Sequence, residues 1–201
     1  MRKIFVSGIG TDVGKTIVSA VLVEALKADY WKPVQTGVDK DIRTVRSLIS
    51  NKKSILHKEA YWFREPASPH YSAALEGKQI KLSQIKLPKT SNHLIIEGAG
   101  GLMVPLNNQD MMIDLIPKVA DEVVLVVSNY LGSINHSLCS IELLKQRGVK
   151  LLGIVFSGEE VSASEEVILN YSKVNCLGRV DELKSLGKFS IAKEALKFRD
   201  I

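Results

Sequence analysis

The sequence predicts a doubly wound α/β fold on a mainly parallel sheet, in one domain spanning residues 1–201. Three observations carry this. Short aliphatic or β-branched runs alternate with segments whose apolar residues recur at helical spacing. No long all-β stretch, internal repeat or low-complexity linker breaks the alternation. A chain of 201 residues, 45% hydrophobic and 24% charged, has the size and balance of a globular domain with a substantial core.

Taken in order, Lys3-Ile4-Phe5-Val6-Ser7 reads as a strand ending in glycines. Thr16 to Ala28 reads as a helix, with Ile17, Val21, Leu22, Ala25 and Leu26 at helical spacing. Asp29 to Val34 reads as a second strand. Asp41 to Ser50 reads as a helix carrying Ile42, Val45, Leu48 and Ile49 on one side. Leu94-Ile95-Ile96, Val123 to Val127 and Leu151 to Phe156 are the kind of run that a parallel sheet buries on both faces. Helical patterns cover Ser133 to Arg147 and Ala163 to Ser172; a strand near Cys176 to Val180 and a helix near Phe189 to Phe198 follow. Asn51 to Asn92, with Pro66, Pro69 and Pro88, is the least regular stretch. It reads as a helical and loop insertion over the carboxyl edge of the sheet, where such folds bind ligands.

Composition narrows the function classes. A net charge of +5 suits anionic ligands, but the basic residues are spread along the chain, so nucleic-acid binding is not expected. The two cysteines, Cys139 and Cys176, lack metal-ligand spacing and read as reduced. No apolar run approaches the ~18–20 residues of a membrane span, and MRKIFVSG does not read as a signal peptide. The expectation is a cytoplasmic protein with no membrane partner.

Three segments carry chemistry. Val6 to Thr16 reads VSGIGTDVGKT, between the first strand and the first helix. The pattern G-x-x-x-x-G-K-[ST] would need glycine at position 9, where Ile9 stands; the nearest glycines before Gly14-Lys15-Thr16 are Gly10 and Gly8. The position is nevertheless right for a phosphate cradle, where backbone N–H groups and the helix dipole favour an anion. Lys15 would reach the β- and γ-phosphates and the Thr16 hydroxyl would ligate Mg²⁺. Lys32 to Gly37 reads KPVQTG, placing Lys32 where a fixed cation stabilises a phosphoryl transition state. Glu97, leaving the apolar run in IIEGAGG, stands where a carboxylate holds Mg²⁺.

Together these segments resemble the dethiobiotin synthetases, in G-x-x-x-x-x-G-K-T with an acidic residue two before the glycine (Asp12), K-P-V-x-[ST]-G and E-G-A-G-G. Gly8 is then the first glycine of a loop one residue longer than the ordinary pattern. Glu65-Pro66-x-Ser68-Pro69-His70 with Glu76-Gly77, and Leu131-Gly132-x-Ile134-Asn135-His136, extend the likeness, which runs from Ile4 to about Gly153.

The resemblance implies a P-loop nucleoside-triphosphatase type of fold and an ATP- and Mg²⁺-dependent cyclo-ligase. Such an enzyme converts 7,8-diaminononanoate and CO₂ to dethiobiotin, releasing ADP and phosphate. By resemblance, Lys32, Lys15 and Thr11 serve catalysis. Asp12, Val13, Gly14, Lys15, Thr16, Ile17, Asp41, Glu97, Gly98, Ala99, Gly100, Ser157 and Gly158 serve ATP. Lys32, Thr36, Gly132, Ser133 and Asn135 serve the diamine, and Thr16, Asp41 and Glu97 the metal, with Asp39 as the alternative to Asp41. The helix start at Leu131 to His136 is expected to serve a neighbouring subunit's site in a twofold homodimer, or else to be an ordinary helix start capped by Ser133. His70 and His136 are expected as hydrogen-bond anchors.

Two positions depart from the family. Ser157 stands where an asparagine often reads the adenine, and Gly178-Arg179-Val180-Asp181 lacks a proline of the late G-x-I-P element. A hydroxyl offers fewer contacts than an amide, so nucleotide selectivity is expected to be looser, with backbone groups near Gly158 and Val180 left to compensate. The alternative reading is a partition or positioning ATPase switch; those place a second lysine five before the loop lysine, where this chain has Gly10.

Overall fold

The computed structural model describes all residues from Met1 to Ile201. Its main sheet has seven strands: β1 (Lys3–Gly8), β2 (Asp29–Trp31), β4 (Leu56–His57), β6 (Leu94–Gly101), β7 (Glu122–Ser128), β8 (Leu151–Ser157) and β9 (Cys176–Val180). They lie in the order β4-β2-β6-β1-β7-β8-β9. Every neighbouring pair is parallel. The helices are α1 (Lys15–Leu26), α2 (Asp41–Leu48), α3 (Pro69–Leu75), α4 (Met112–Val119), α5 (Ser133–Gln146), α6 (Ser162–Ser172) and α7 (Lys188–Ala195).

Strand β1 shows why its run is apolar without alternation. Ile4 and Val6 join one core cluster with Val18, Leu22 and Ile168, while Phe5 joins a second with Ile96, Ile113 and Leu115. Both faces of the sheet are therefore covered by helices, as parallel crossovers require. Each fully buried aliphatic side chain contributes about 1.5–3 kcal/mol relative to exposure. The strand order turns around β1, so the β1–α1 loop opens at the carboxyl edge, where a doubly wound sheet leaves a crevice.

Four features differ from the sequence expectation. The strand expected over residues 29–34 ends at Trp31. Pro33 has no N–H to give a ladder, and its carbonyl instead accepts the N–H groups of Ala60 and Tyr61. Strand β3 (Val34–Thr36) leaves the main sheet and pairs in parallel with β5 (Tyr61–Phe63). Residues 51–92 are not only an insertion over the sheet edge, because they supply β4 as an outer strand of the main sheet. Strand β6 continues through the glycines to Gly101, so Glu97 lies inside a strand and is fully buried. Helix α4 is absent from the sequence expectation; it carries Pro117 within it, and Met112, Ile113, Leu115, Ile116 and Val119 bury one face.

One buried carboxylate ties α1 to the segment after α2. Glu24 accepts hydrogen bonds from the N–H groups of Ser50 (2.8 Å) and Asn51 (3.0 Å), the Ser50 hydroxyl, the Asn51 amide and Lys27. Burial alone would raise its pKa, but these donors, led by the Asn51 N–H, lower it from 4.5 to about 2. On acidification the unfolded chain therefore takes up this proton first. The stabilisation is complete above pH 4.5 and is lost as pH falls toward 2. Glu24→Ala should cost about 1.5–3 kcal/mol at pH 7, the scale of hydrogen bonds made to a charged group. Urea unfolding at pH 7 and at pH 3 should show the gap from wild type narrowing in acid; a gap of equal size at both would remove Glu24 from this role.

Candidate active site

The loop between β1 and α1 has a backbone that only certain residues tolerate. Gly14 caps α1 at φ +90°, and a Cβ there would lie 2.2 Å from the Ser157 Oγ. Asp12 also has positive φ, at 57°. This alternation turns backbone N–H groups into one concavity at a helix N-terminus, an anion cradle. Lys15 is buried beneath it, donating from Nζ to the Gly10 carbonyl at 2.6 Å. Burial pushes the Lys15 ammonium down to about 8; Glu97 opposes that shift and Lys32 adds to it.

Beside the cradle four side chains converge from four elements. Lys32, at the end of β2, is buried and pairs through Nζ with Asp41 Oδ2 and with Glu97 Oε1 at 2.9 Å. The Thr16 hydroxyl lies 2.8 Å from Glu97 Oε1 and 3.2 Å from Asp41 Oδ1. Burial alone would lower the Lys32 pKa, but Glu97 and then Asp41 outweigh it and hold the ammonium above its ordinary value. A hydroxyl and two carboxylates form a hard oxygen donor set of the kind that suits Mg²⁺. No group of three or more His, Cys, Asp or Glu side chains is placed to hold a metal. A cation here would therefore complete its shell with phosphate and water oxygens.

These groups line a cleft of about 770 Å³. It is also lined by Thr11, Asp12, Gly14, Ile17, Thr36, Ala99 and Gly100 among the expected residues. Asp39 lines it too, but Asp41 is the aspartate whose carboxylate meets Thr16 and Lys32. Val13 is buried in the core, and Gly98 backs onto Phe5, which a Cβ would approach to 2.8 Å. Ser157 packs against the loop at Gly14, and neither Ser157 nor Gly158 lines the cleft.

The backbone expected to help read the base is already engaged. Gly158 donates its N–H to the Val180 carbonyl at 3.0 Å and accepts from Arg179 at 3.1 Å. Arg179 is fixed in turn by Glu165 and by the Phe156 ring. Both backbone groups of Gly158 and the carbonyl of Val180 are thus engaged within the protein.

Gly132, Ser133 and Asn135 lie outside the cleft lined by their own chain. Gly132, at φ +105°, is the N-cap of α5, and Ser133 is a buried first-turn residue rather than the cap. Leu131 beside it is fully exposed. His136 bonds the Tyr130 hydroxyl at 2.8 Å, as expected of an anchor, whereas His70 Nδ1 is buried without a partner.

Sequence reasoning missed Tyr30 and Gln35. Tyr30 donates its hydroxyl to Glu97 Oε2 at 2.8 Å. Gln35 lines the cleft and accepts the Asp41 N–H at 3.1 Å. A tyrosine in an apolar strand reads as core, and Gln35 fills a variable position of KPVQTG; only the glutamine amid apolar neighbours was a signal.

Residues 2–190 match the family model described as an AAA domain. The ATP-dependent dethiobiotin synthetase BioD of Christiangramia forsetii is 48% identical over 98% of this chain and 96% of its own length. That of Cytophaga hutchinsonii is 46% identical over 100% and 98%. Among solved structures, the Pyrococcus furiosus cell division ATPase MinD superposes with a TM-score of 0.62 at 17% identity, covering 98% of both chains. A ParA family ATPase from Chlorobium tepidum gives 0.59 at 12%, covering 97% of both. At such low identity the solved structures show a shared P-loop ATPase fold alone. The near full-length relatives show more: this chain belongs to the ATP-dependent dethiobiotin synthetase family.

Proposed function

We propose that this chain converts 7,8-diaminononanoate, CO₂ and ATP to dethiobiotin, ADP and phosphate, with Thr16, Asp41 and Glu97 holding Mg²⁺. The observation that carries the reading is Lys32: a buried ammonium bonded to both carboxylates and lining the cleft beside the phosphate cradle. One amine of the diamine takes up CO₂ as a carbamate, whose oxygen attacks the γ-phosphorus as ADP leaves. The second amine then attacks the activated carbonyl, closing the cyclic urea and expelling phosphate.

The protein's part is placement and charge neutralisation. The loop N–H groups and Lys15 hold the phosphates, while Thr11 and Thr36 orient carbamate and amine across the cleft. Lys32 faces the oxygens that gain charge in transfer. Bound Mg²⁺ would neutralise phosphate charge.

The substrate carboxylate lies at the end of an apolar tail, far from the amines. We assign its reception to Gly132, Ser133 and Asn135 at the α5 N-terminus of a second copy. Their placement outside their own chain's cleft and the exposed Leu131 and Tyr130 beside them support this. No helix is long and apolar enough to cross a membrane. Cys139 and Cys176 are free, which supports a reducing, cytoplasmic setting.

Incubation with diamine, bicarbonate, Mg²⁺ and ATP, read by product mass, tests the reaction; ATP turnover that ignores the diamine would instead favour a switch ATPase. Lys32→Ala should lower turnover far more than ATP binding, by on the order of 2.7–4 kcal/mol in the barrier. Near-normal turnover would make Lys32 a bystander.

Selectivity among nucleotides should be loose, because the Gly158 N–H and the carbonyls of Gly158 and Val180 are engaged within the protein and Ser157 offers one hydroxyl. Turnover with ATP, CTP and GTP should differ by well under a thousandfold, and a larger ATP preference would contradict this.

A subunit-mixing assay checks the shared site. Lys32→Ala chains and Asn135→Ala chains, each impaired alone, should regain activity when their subunits exchange, since a mixed dimer holds one intact centre. No recovery would mean that each chain builds its own site.

A further inference from the structure

Glu97 and Asp41 reach the centre of the cleft from different elements, and each is held from behind by a residue with no assigned part in the reaction. Glu97 is fully buried in β6. Its Oε1 meets Lys32 Nζ at 2.9 Å and Thr16 Oγ1 at 2.8 Å, while its Oε2 turns away and accepts the Tyr30 hydroxyl at 2.8 Å. Tyr30 comes from the adjoining strand β2, itself fully buried, and its ring cannot move without opening the core. The hydroxyl therefore fixes which oxygen Glu97 presents to the cleft.

Asp41 is held differently. Both its carboxylate oxygens face the cleft groups, Oδ1 toward Thr16 and Oδ2 toward Lys32. What fixes it is its backbone. Asp41 opens α2, and its N–H, one of those without an intrahelical partner, donates to Gln35 Oε1 at 3.1 Å. The amide nitrogen of Gln35 donates to the Thr36 carbonyl at 2.7 Å and approaches the Asp39 carbonyl at 3.5 Å. One buried amide thus spans the turn from β3 to α2 and sets where the helix begins.

We propose that Tyr30 and Gln35 are the positioning residues of this site: the Tyr30 hydroxyl aims Glu97 and the Gln35 amide aims Asp41, so that together they set its affinity for a divalent cation. This rests on the metal assignment under Proposed function. Groups that orient metal-binding side chains in this way typically change affinity 10–100-fold when removed. Tyr30→Phe deletes one oxygen and keeps the ring; Gln35→Met keeps length and removes both hydrogen-bonding ends.

The test is calorimetric titration of ADP into the full chain, with and without Mg²⁺, alongside thermal melting without ligand. In wild type, Mg²⁺ should tighten ADP binding. Each variant should need about 10–100-fold more Mg²⁺ for the same tightening, while metal-free ADP binding, carried by the untouched phosphate cradle, stays as in wild type. Gln35→Glu, which keeps an acceptor for the Asp41 N–H, should recover part of the Gln35→Met loss.

A variant that folds and keeps the wild-type Mg²⁺ requirement overturns the proposal for that residue. Equal weakening with and without the metal also overturns it, since that marks general structural support. If one variant does not fold, the other decides. Wild-type binding indifferent to Mg²⁺ would instead overturn the metal assignment itself, and the two failures are thereby told apart.

Discussion

A buried ammonium shared by two carboxylates is the constraint around which the site is organised. Removing Lys32 and Glu97 from water is costly, and only close pairing with further hydrogen bonds compensates. The fold supplies these from separate elements: Lys32 from the end of β2, Glu97 from β6, Asp41 from the start of α2 and Thr16 from the start of α1. Parallel order makes the convergence possible, because β2 adjoins β6 and β6 adjoins β1, bringing their carboxyl ends to one edge. Pro33 then matters twice, keeping β2 from running on past Trp31, just before Lys32, and directing β3 away to pair with β5. That departure opens the space in which Gln35, Thr36 and Asp41 face the phosphate loop.

Much of this was legible because the chemistry-bearing residues sit where the chain punctuates itself. Gly14-Lys15-Thr16 opens a helix after a strand, Lys32 precedes a proline, and Glu97 precedes a run of small residues. Residues that act only through a neighbour left weaker marks. Tyr30 carries the hydropathy of a core residue, and its hydroxyl matters only because β2 lies beside β6. The engagement of the Gly158 carbonyl depends on Arg179, which Glu165 and Phe156 hold from elements apart in sequence. Helix α4 was hidden by Pro117, whose cost in a helix is offset by the five apolar residues buried around it. Strand β4, two residues long, has too little sequence to show a period.

The likeness to MinD and ParA proteins shows how far a frame can be shared without its use. Position 10 illustrates the divergence. The switch reading of the sequence needs a lysine there, whereas in this chain Gly10 offers its carbonyl to Lys15. The second cation of this site comes instead from Lys32, within the same chain, and is held by the carboxylates that would also bind the metal. Lys32 and a divalent cation at the proposed site would therefore draw on the same oxygens. Binding of Mg²⁺ with nucleotide should loosen the lysine from Asp41 and Glu97 and leave it for the phosphate.

The measurement that bears most directly on this account is a crystal structure with a non-hydrolysable ATP analogue and Mn²⁺, the metal located by its anomalous signal. The account predicts the metal at Thr16, Asp41 and Glu97, with the Lys32 ammonium turned to the terminal phosphate. A metal bound elsewhere, or Lys32 still paired with both carboxylates while nucleotide and metal are present, would contradict it.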